Sequence, residues 1–164
     1  MRLSILRLSL ILLICLALTI VPMPSFLSEF RPPWVLLIVL YLQFFLPEYF
    51  SIVLILVLGL TLDVLLSSVL GEHAFALSLV CLLANAKARR FRLFSTTQQM
   101  PLIGLFCFIY QLMIFMVDAA FDYKTNMLMS IFNALLSGLL WPWIKMLTED
   151  MLFRRKKMKG SFSH

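Results

Sequence analysis

The sequence predicts an all-α protein that crosses a membrane as a bundle of about six helices. The first observation behind this class is composition. Of the 164 residues, 62% are hydrophobic and only 13% are charged, whereas a soluble domain carries roughly 25% charged residues. The second is the arrangement of the apolar residues in successive runs, which short segments rich in proline, glycine or charge separate. We therefore expect one integral membrane domain over residues 1–164 and no soluble domain.

The placement of the basic residues predicts the orientation of the helices. Of the 14 Lys and Arg residues, only Arg31 and Lys124 lie outside three clusters. If both termini are cytoplasmic, 12 of these basic residues lie on the cytoplasmic side of the membrane and 2 on the outer side, as the positive-inside rule requires. We expect a membrane protein with both termini in the cytoplasm, whose basic clusters anchor it to lipid and do not bind nucleic acid. The expected lipid anchors are Lys87, Arg89, Arg90, Arg92, Arg154, Arg155, Lys156 and Lys157.

The first two predicted helices cover 3–21 and 34–46. A cleaved signal peptide is an alternative for the first, but Pro22-Met23-Pro24 stands where a small-residue cleavage site belongs, so we favour an uncleaved helix. Pro32-Pro33-Trp34 suits the start of the second helix. That helix is only about 20 Å long, so it needs protection by neighbours or a locally thinner bilayer. Whether it spans the membrane fully stays open.

Four further helices are predicted over 50–68, 74–88, 101–120 and 127–147, followed by a basic tail over 148–164. Ser67–His73 forms the turn after the third helix, and Pro101 opens the fifth. Pro142 lies inside the last helix and predicts a kink there. That helix also carries small residues at four-residue spacing, for which packing within the chain is favoured over an intermolecular contact. They are Ser130, Ala134 and Gly138.

The third helix carries an acid inside an apolar run. Gly59, Asp63 and Ser67 fall at i, i+4 and i+8 and so share one helix face. A carboxylate in the membrane costs about 2.5–3.5 kcal/mol and should face protein or trapped water. Gly71 suits a left-handed residue that ends the helix. We hypothesise that this face holds the packing of the bundle or receives a partner's helix, in which case Asp63→Leu loses partner assembly but inserts normally.

A second acid, Asp118, lies near the end of the fifth helix, with Gln111 two turns deeper. One hypothesis places Asp63 and Asp118 in an outward-facing polar cavity, with Arg31 or Lys124 nearby. In the other, neighbouring polar groups satisfy each acid. We favour the second for Asp118 and leave both open for Asp63. A lipid or a small molecule in such a cavity also stays open.

The sequence contains no recognisable catalytic or metal-binding motif. His73 and His164 are predicted on opposite sides of the membrane, and Glu72-His73 is expected in a solvated turn. The three cysteines lie within apolar spans without close spacing, so we expect them to act as small core residues. They are Cys15, Cys81 and Cys107. We therefore predict a protein that is not an enzyme and uses no metal or cofactor.

Four features in order resemble the MreD family of bacterial rod shape-determining proteins. They are Arg31-Pro32-Pro33-Trp34, then Gly59 with Asp63, then Leu70-Gly71, and finally Trp141-Pro142-Trp143. The resemblance implies a non-enzymatic component of the cell-wall elongation machinery in the inner membrane. It implies MreC as a partner, with the actin-like MreB, the transglycosylase RodA and a penicillin-binding transpeptidase. It also implies a fold similar to the six-helix substrate-binding subunits of energy-coupling-factor transporters.

That implied fold supplies an alternative function, the capture of a small-molecule substrate for a transporter. Such subunits dock through an alanine-x-x-x-alanine pattern on the first helix, where this sequence has only Ala17, so we favour the scaffold. In the scaffold, Trp141 and Trp143 are expected to anchor the cytoplasmic interface. Pro142 is expected to set the angle of the basic tail. A homo-oligomer is left open.

Overall fold

The computed structural model describes residues 2–20, 32–121 and 127–159. These ranges contain six α-helices and one short 3-10 turn, and no strand. The predicted all-α class with six helices is confirmed. In chain order the α-helices are α1 (Arg2–Ile20), α2 (Trp34–Phe45), α3 (Ile52–Leu66), α4 (Glu72–Phe91), α5 (Thr96–Ala120) and α6 (Met127–Lys159), with the 3-10 turn Pro47–Tyr49 after α2.

Helix α2 lies at the centre of the bundle. Every residue from Val35 to Phe44 is buried, and α2 contacts α1, α4, α5 and α6. A helix that is hydrophobic on all sides is stable only when other helices surround it. Ten of the 12 residues of α2 are therefore enclosed by protein, which supplies the protection that its short length requires.

Helices α3 and α4 form a closely packed antiparallel hairpin. A Cβ atom on Gly59 would lie 2.3 Å from Cα of Ala74, which is far inside van der Waals contact. Any side chain at this position would therefore push the two helices apart, and glycine permits their close approach. The hairpin brings the end of α3 and the first turn of α4 together.

Helices α5 and α6 form a second closely packed pair. Gly138 approaches the carbonyl of Met100 and the backbone of Gly104, and Gly104 faces the carbonyl of Ala134. The small residues of α6 thus pack against α5 within the chain. Beside this contact, an open apolar groove of about 410 Å³ runs between the two helices and contains Pro101, Gly104 and Gly138.

Helices α5 (Thr96–Ala120) and α6 over Ser130–Met151 are long and apolar enough to cross a membrane. Three shorter apolar helices occur at Leu6–Ile20, Trp34–Phe45 and Ile52–Leu66. Many large apolar side chains on the outside of the bundle are exposed, including Val64 of α3 and Leu135 of α6. Exposed apolar side chains on helices of this length are typical of a surface that contacts lipid or another apolar helix.

Several helix ends differ from the prediction. Helix α5 begins at Thr96, not at Pro101, because the Gln98 side chain accepts a hydrogen bond from the backbone N–H of Ser95 at 3.2 Å and so caps an earlier first turn. Pro101 therefore lies inside the helix. The predicted tail is not a separate segment, since α6 continues to Lys159 through Pro142. The basic residues Lys87, Arg89 and Arg90 belong to α4 and not to a loop.

Candidate functional site

The carboxylate of Asp63 caps the helix that follows it. The N-cap residue of α4 is Gly71, whose φ of 97° is left-handed and which has no side chain to bind the N–H groups of the first turn. Asp63 supplies the missing acceptor from the neighbouring helix. Its Oδ2 accepts from the N–H of Gly71 at 2.8 Å, and its Oδ1 accepts from the N–H of His73 at 2.8 Å. A negative charge is also favoured there by the dipole of α4.

Two side chains complete the surroundings of Asp63. Nδ1 of His73 lies 3.0 Å from Oδ1 and donates to it, because a carboxylate can only accept. The hydroxyl of Ser68 donates to the same oxygen over a longer distance of 3.4 Å. The ring of His73 meets the ring of Tyr110 of α5 edge-on, at 6.2 Å between centroids. The end of α3, the start of α4 and the middle of α5 are thus connected through one buried polar cluster.

The residues of the predicted Gly59–Asp63–Ser67 face have different surroundings. Gly59 and Asp63 are buried against α4, whereas Ser67 is exposed and ends α3 in a left-handed conformation with φ 51°. The left-handed end of α3 is therefore Ser67, and Gly71 instead begins α4. The chain itself occupies the Gly59 and Asp63 part of the face, so we expect Asp63→Leu to destabilise the α3–α4 hairpin.

Glu72 is not in a solvated turn, and that prediction was wrong. Glu72 and His73 form the first turn of α4, and both are buried. Among the described residues, neither carboxylate oxygen of Glu72 has a hydrogen-bond partner. Asp118, in the last turn of α5, is half-buried and interacts electrostatically with both Glu72 and His73. Acids from α3, α4 and α5 therefore lie at the same end of the bundle.

The aromatic residues of the Trp141-Pro142-Trp143 motif also differ from each other. Trp141 is completely buried, and its Nε1–H donates to Oε1 of Gln99 at 3.1 Å. The Nε2 group of Gln99 in turn donates to the carbonyls of Phe91 and Phe94. Trp141 is therefore a core residue that joins α6 to the connection between α4 and α5. Trp143 is 66% exposed and remains available to a membrane interface.

The remaining motif residues and anchors have the following positions. Pro32 is buried, and Trp34 is half-buried against the core. The expected anchors of α4 and its end are exposed, namely Lys87, Arg89, Arg90 and Arg92. Arg31 and Lys124 lie outside the described residues, and the side chains of Arg154, Arg155, Lys156 and Lys157 lie outside the described side chains. The three cysteines are buried with free thiols.

Sequence reasoning missed Glu72 and Gln99. The predicted fourth helix begins at Ala74 and the fifth at Pro101, so both residues fall in connections, and Glu72 is expected in a solvated turn. Two patterns in the sequence carried the missing signal. Ser95-x-x-Gln98 is a capping pattern that starts a helix before Gln99, and Gly71 followed at once by an acid is a common helix start. Within the described residues, no group of three or more metal-ligating side chains is present.

The fold and this site define the class of the protein: an apolar helical membrane protein in which the buried acid Asp63 serves as an internal helix cap. The chain belongs to the MreD family, since the family model for rod shape-determining protein MreD matches residues 1–151. It is 34% identical over 146 residues to the rod shape-determining protein MreD of Haemophilus influenzae, an alignment that covers 89% of this chain and 88% of that protein. A role in rod shape determination follows from this membership.

No solved structure matches the chain. The resemblance to the substrate-binding subunits of energy-coupling-factor transporters is therefore without support from a comparison.

Proposed function

We propose that this chain is a non-enzymatic scaffold of the cell-wall elongation machinery, which maintains rod shape by binding MreC in the bacterial inner membrane. Through MreC it associates indirectly with MreB, RodA and a penicillin-binding transpeptidase. The observation that carries the proposal is the family match over residues 1–151. MreD is a family of structural proteins that determine cell shape.

The surroundings of Asp63 support a scaffold over a transporter. An acid that carries a proton or binds a substrate must be open to that ligand, and intramembrane acids of transporters line such pathways. Here both oxygens of Asp63 accept hydrogen bonds from the first turn of α4. Asp63, the acid that a transporter could use to carry a proton or bind a substrate, is thus already bound by donors of the chain itself. We do not advance that alternative.

The distribution of charge supports an orientation with both termini in the cytoplasm. The exposed bases Lys87, Arg89 and Arg90 lie at the last turns of α4. Glu72 and Asp63 lie at the opposite end of the α3–α4 hairpin. A basic end and an acidic end fit the positive-inside rule when the basic end faces the cytoplasm. The exposed basic residues then lie near anionic headgroups, where each contributes about 1 kcal/mol.

The experiment that tests the proposal is depletion of the protein in its own host, with cell shape and co-purifying membrane proteins as the two measurements. We expect rod-shaped cells to become round as the protein is depleted, and we expect a tagged copy of the chain to recover MreC. Cells that remain rod-shaped while the tagged chain recovers ATPase subunits would contradict the scaffold and restore the transporter.

A further inference from the structure

Glu72 is a buried acid to which no described residue donates a hydrogen bond. Its residue is 4% exposed, and neither Oε1 nor Oε2 has a hydrogen-bond partner within residues 2–20, 32–121 and 127–159. The neighbouring N–H groups are already used, because those of Gly71 and His73 donate to Asp63. The N–H of Glu72 itself donates to the carbonyl of Val69 at 3.1 Å. The N–H groups of Gly71, Glu72 and His73 are therefore not free for this carboxylate.

The other groups around Glu72 add negative charge. The carboxyl of Asp118 on α5 has the strongest charge interaction with Glu72, and Asp63 adds a weaker one. Nδ1 of His73 is taken by Asp63. The basic residues of α4 are remote, since Lys87 follows Glu72 by 15 positions, which is roughly 22 Å along a helix. Glu72 is thus under the electrostatic influence of two acids, and no Lys or Arg among the described residues pairs with it.

Such an arrangement is complementary to a positively charged donor. A buried carboxylate is stable when it is paired and hydrogen-bonded. A guanidinium group offers five N–H donors in a plane and binds two acceptors at once. Asp118 is half-buried in the last turn of α5, so its carboxyl is within reach of a side chain from outside the bundle.

We propose that Glu72 and Asp118 form an acidic site that binds a basic side chain, an arginine in the first instance, of a membrane partner. The inference rests on the proposed function, because it names the chemistry by which the scaffold recognises its partner. Both carboxylate oxygens of Asp63 already accept hydrogen bonds, so Asp63 does not bind the partner's basic side chain. Its role is to position Glu72 by holding the first turn of α4 against α3.

The test compares Glu72→Gln with the wild-type chain in two measurements. Glutamine keeps the shape of the side chain and an acceptor but removes the charge. The first measurement is the amount of MreC that co-purifies with equal amounts of the tagged chain, which we expect to fall at least about tenfold, as for other desolvated charge pairs that lose one partner. Asp118→Asn, on the other helix, is expected to lower MreC recovery in the same direction. Glu48→Gln is the matched control, because Glu48 is an exposed acid beside α2.

The second measurement is the thermal unfolding of the purified chain alone. Because the donor comes from a partner, Glu72→Gln should unfold at the same temperature as the wild-type chain or at a higher one. A lower unfolding temperature would mean that a cation of this chain already pairs with Glu72, and the proposal would be wrong. MreC recovery within twofold of wild type for Glu72→Gln would also overturn it. If the wild-type chain recovers no MreC, the proposed function itself fails, whatever the result for Glu72.

Discussion

Asp63 accepts two hydrogen bonds from His73, one from its backbone N–H at 2.8 Å and one from its ring Nδ1–H at 3.0 Å. These residues are ten positions apart and lie on different helices. The pair fixes where α4 begins and which way its first residues point. The same pair also buries Glu72, which is the residue next to His73. The internal cap and the proposed binding site therefore both arise from the first turn of α4.

Replacing Asp63 should destabilise the chain before it affects any partner. Asp63→Ala leaves the N–H groups of Gly71 and His73 and the His73 ring without their acceptor. We expect a loss of about 3–5 kcal/mol in the free energy of unfolding, because three donors lose their buried acceptor and each unsatisfied donor costs about 1–3 kcal/mol. Unfolding of the detergent-solubilised chain measures it. The control is Glu48→Gln, and a loss below about 1 kcal/mol would show that the cap is not the main role of Asp63.

Two glycines in similar helix positions should respond differently to alanine. In Gly59→Ala the new Cβ meets the backbone of Ala74 at 2.3 Å, and because backbone cannot move aside we expect a loss of about 1–3 kcal/mol or more. In Gly104→Ala the nearest atom is the carbonyl oxygen of Ala134 at 3.4 Å. That distance is ordinary contact, so we expect a change below about 1 kcal/mol, since alanine also favours a helix. Equal losses in the two variants would contradict the close α3–α4 contact.

The two left-handed residues of the α3–α4 turn should give changes of opposite sign. Ser67 has φ 51° and Gly71 has φ 97°. Residues with a side chain lose about 1–2 kcal/mol in a left-handed conformation, whereas glycine does not. We therefore expect Ser67→Gly to raise the unfolding temperature and Gly71→Ala to lower it. The Ser67 variant should leave MreC recovery unchanged, because its side chain is exposed and is not part of the proposed Glu72–Asp118 site.

The two tryptophans beside Pro142 should differ in their sensitivity to phenylalanine. Trp141→Phe removes the donor to Gln99 and leaves a space in the core. We expect a loss of about 2–3 kcal/mol from the orphaned acceptor and the lost contacts. Trp143→Phe changes an exposed side chain and should stay within about 0.5 kcal/mol of wild type. Unfolding curves for the two variants provide the comparison, and a larger effect at Trp143 would contradict the buried position of Trp141.

Composition and local pattern were enough to predict the class of the protein. The fraction of apolar residues and their division into runs predicted a helical membrane protein, because those properties depend on residues close together in sequence. Structural roles for Gly59 and Asp63 were also predictable, since a glycine in an apolar helix permits close helix packing and an acid there needs polar partners. Helix ends were predicted less well. Pro101 predicted the start of α5, whereas the capping pattern at Ser95 starts the helix at Thr96.

The sequence alone thus determined the helical class of the protein and the importance of Gly59 and Asp63, because both follow from residues that are close together in the chain. The tertiary structure alone decided which groups satisfy Asp63, why α2 is short and central, and why Trp141 is buried while Trp143 is exposed. It also brought Asp118 of α5 within electrostatic range of Glu72 of α4. The physical reason is that the helices of this sequence are apolar on several faces, so polarity alone does not mark one face as the buried one. Only packing against the other helices selects the face that becomes the core.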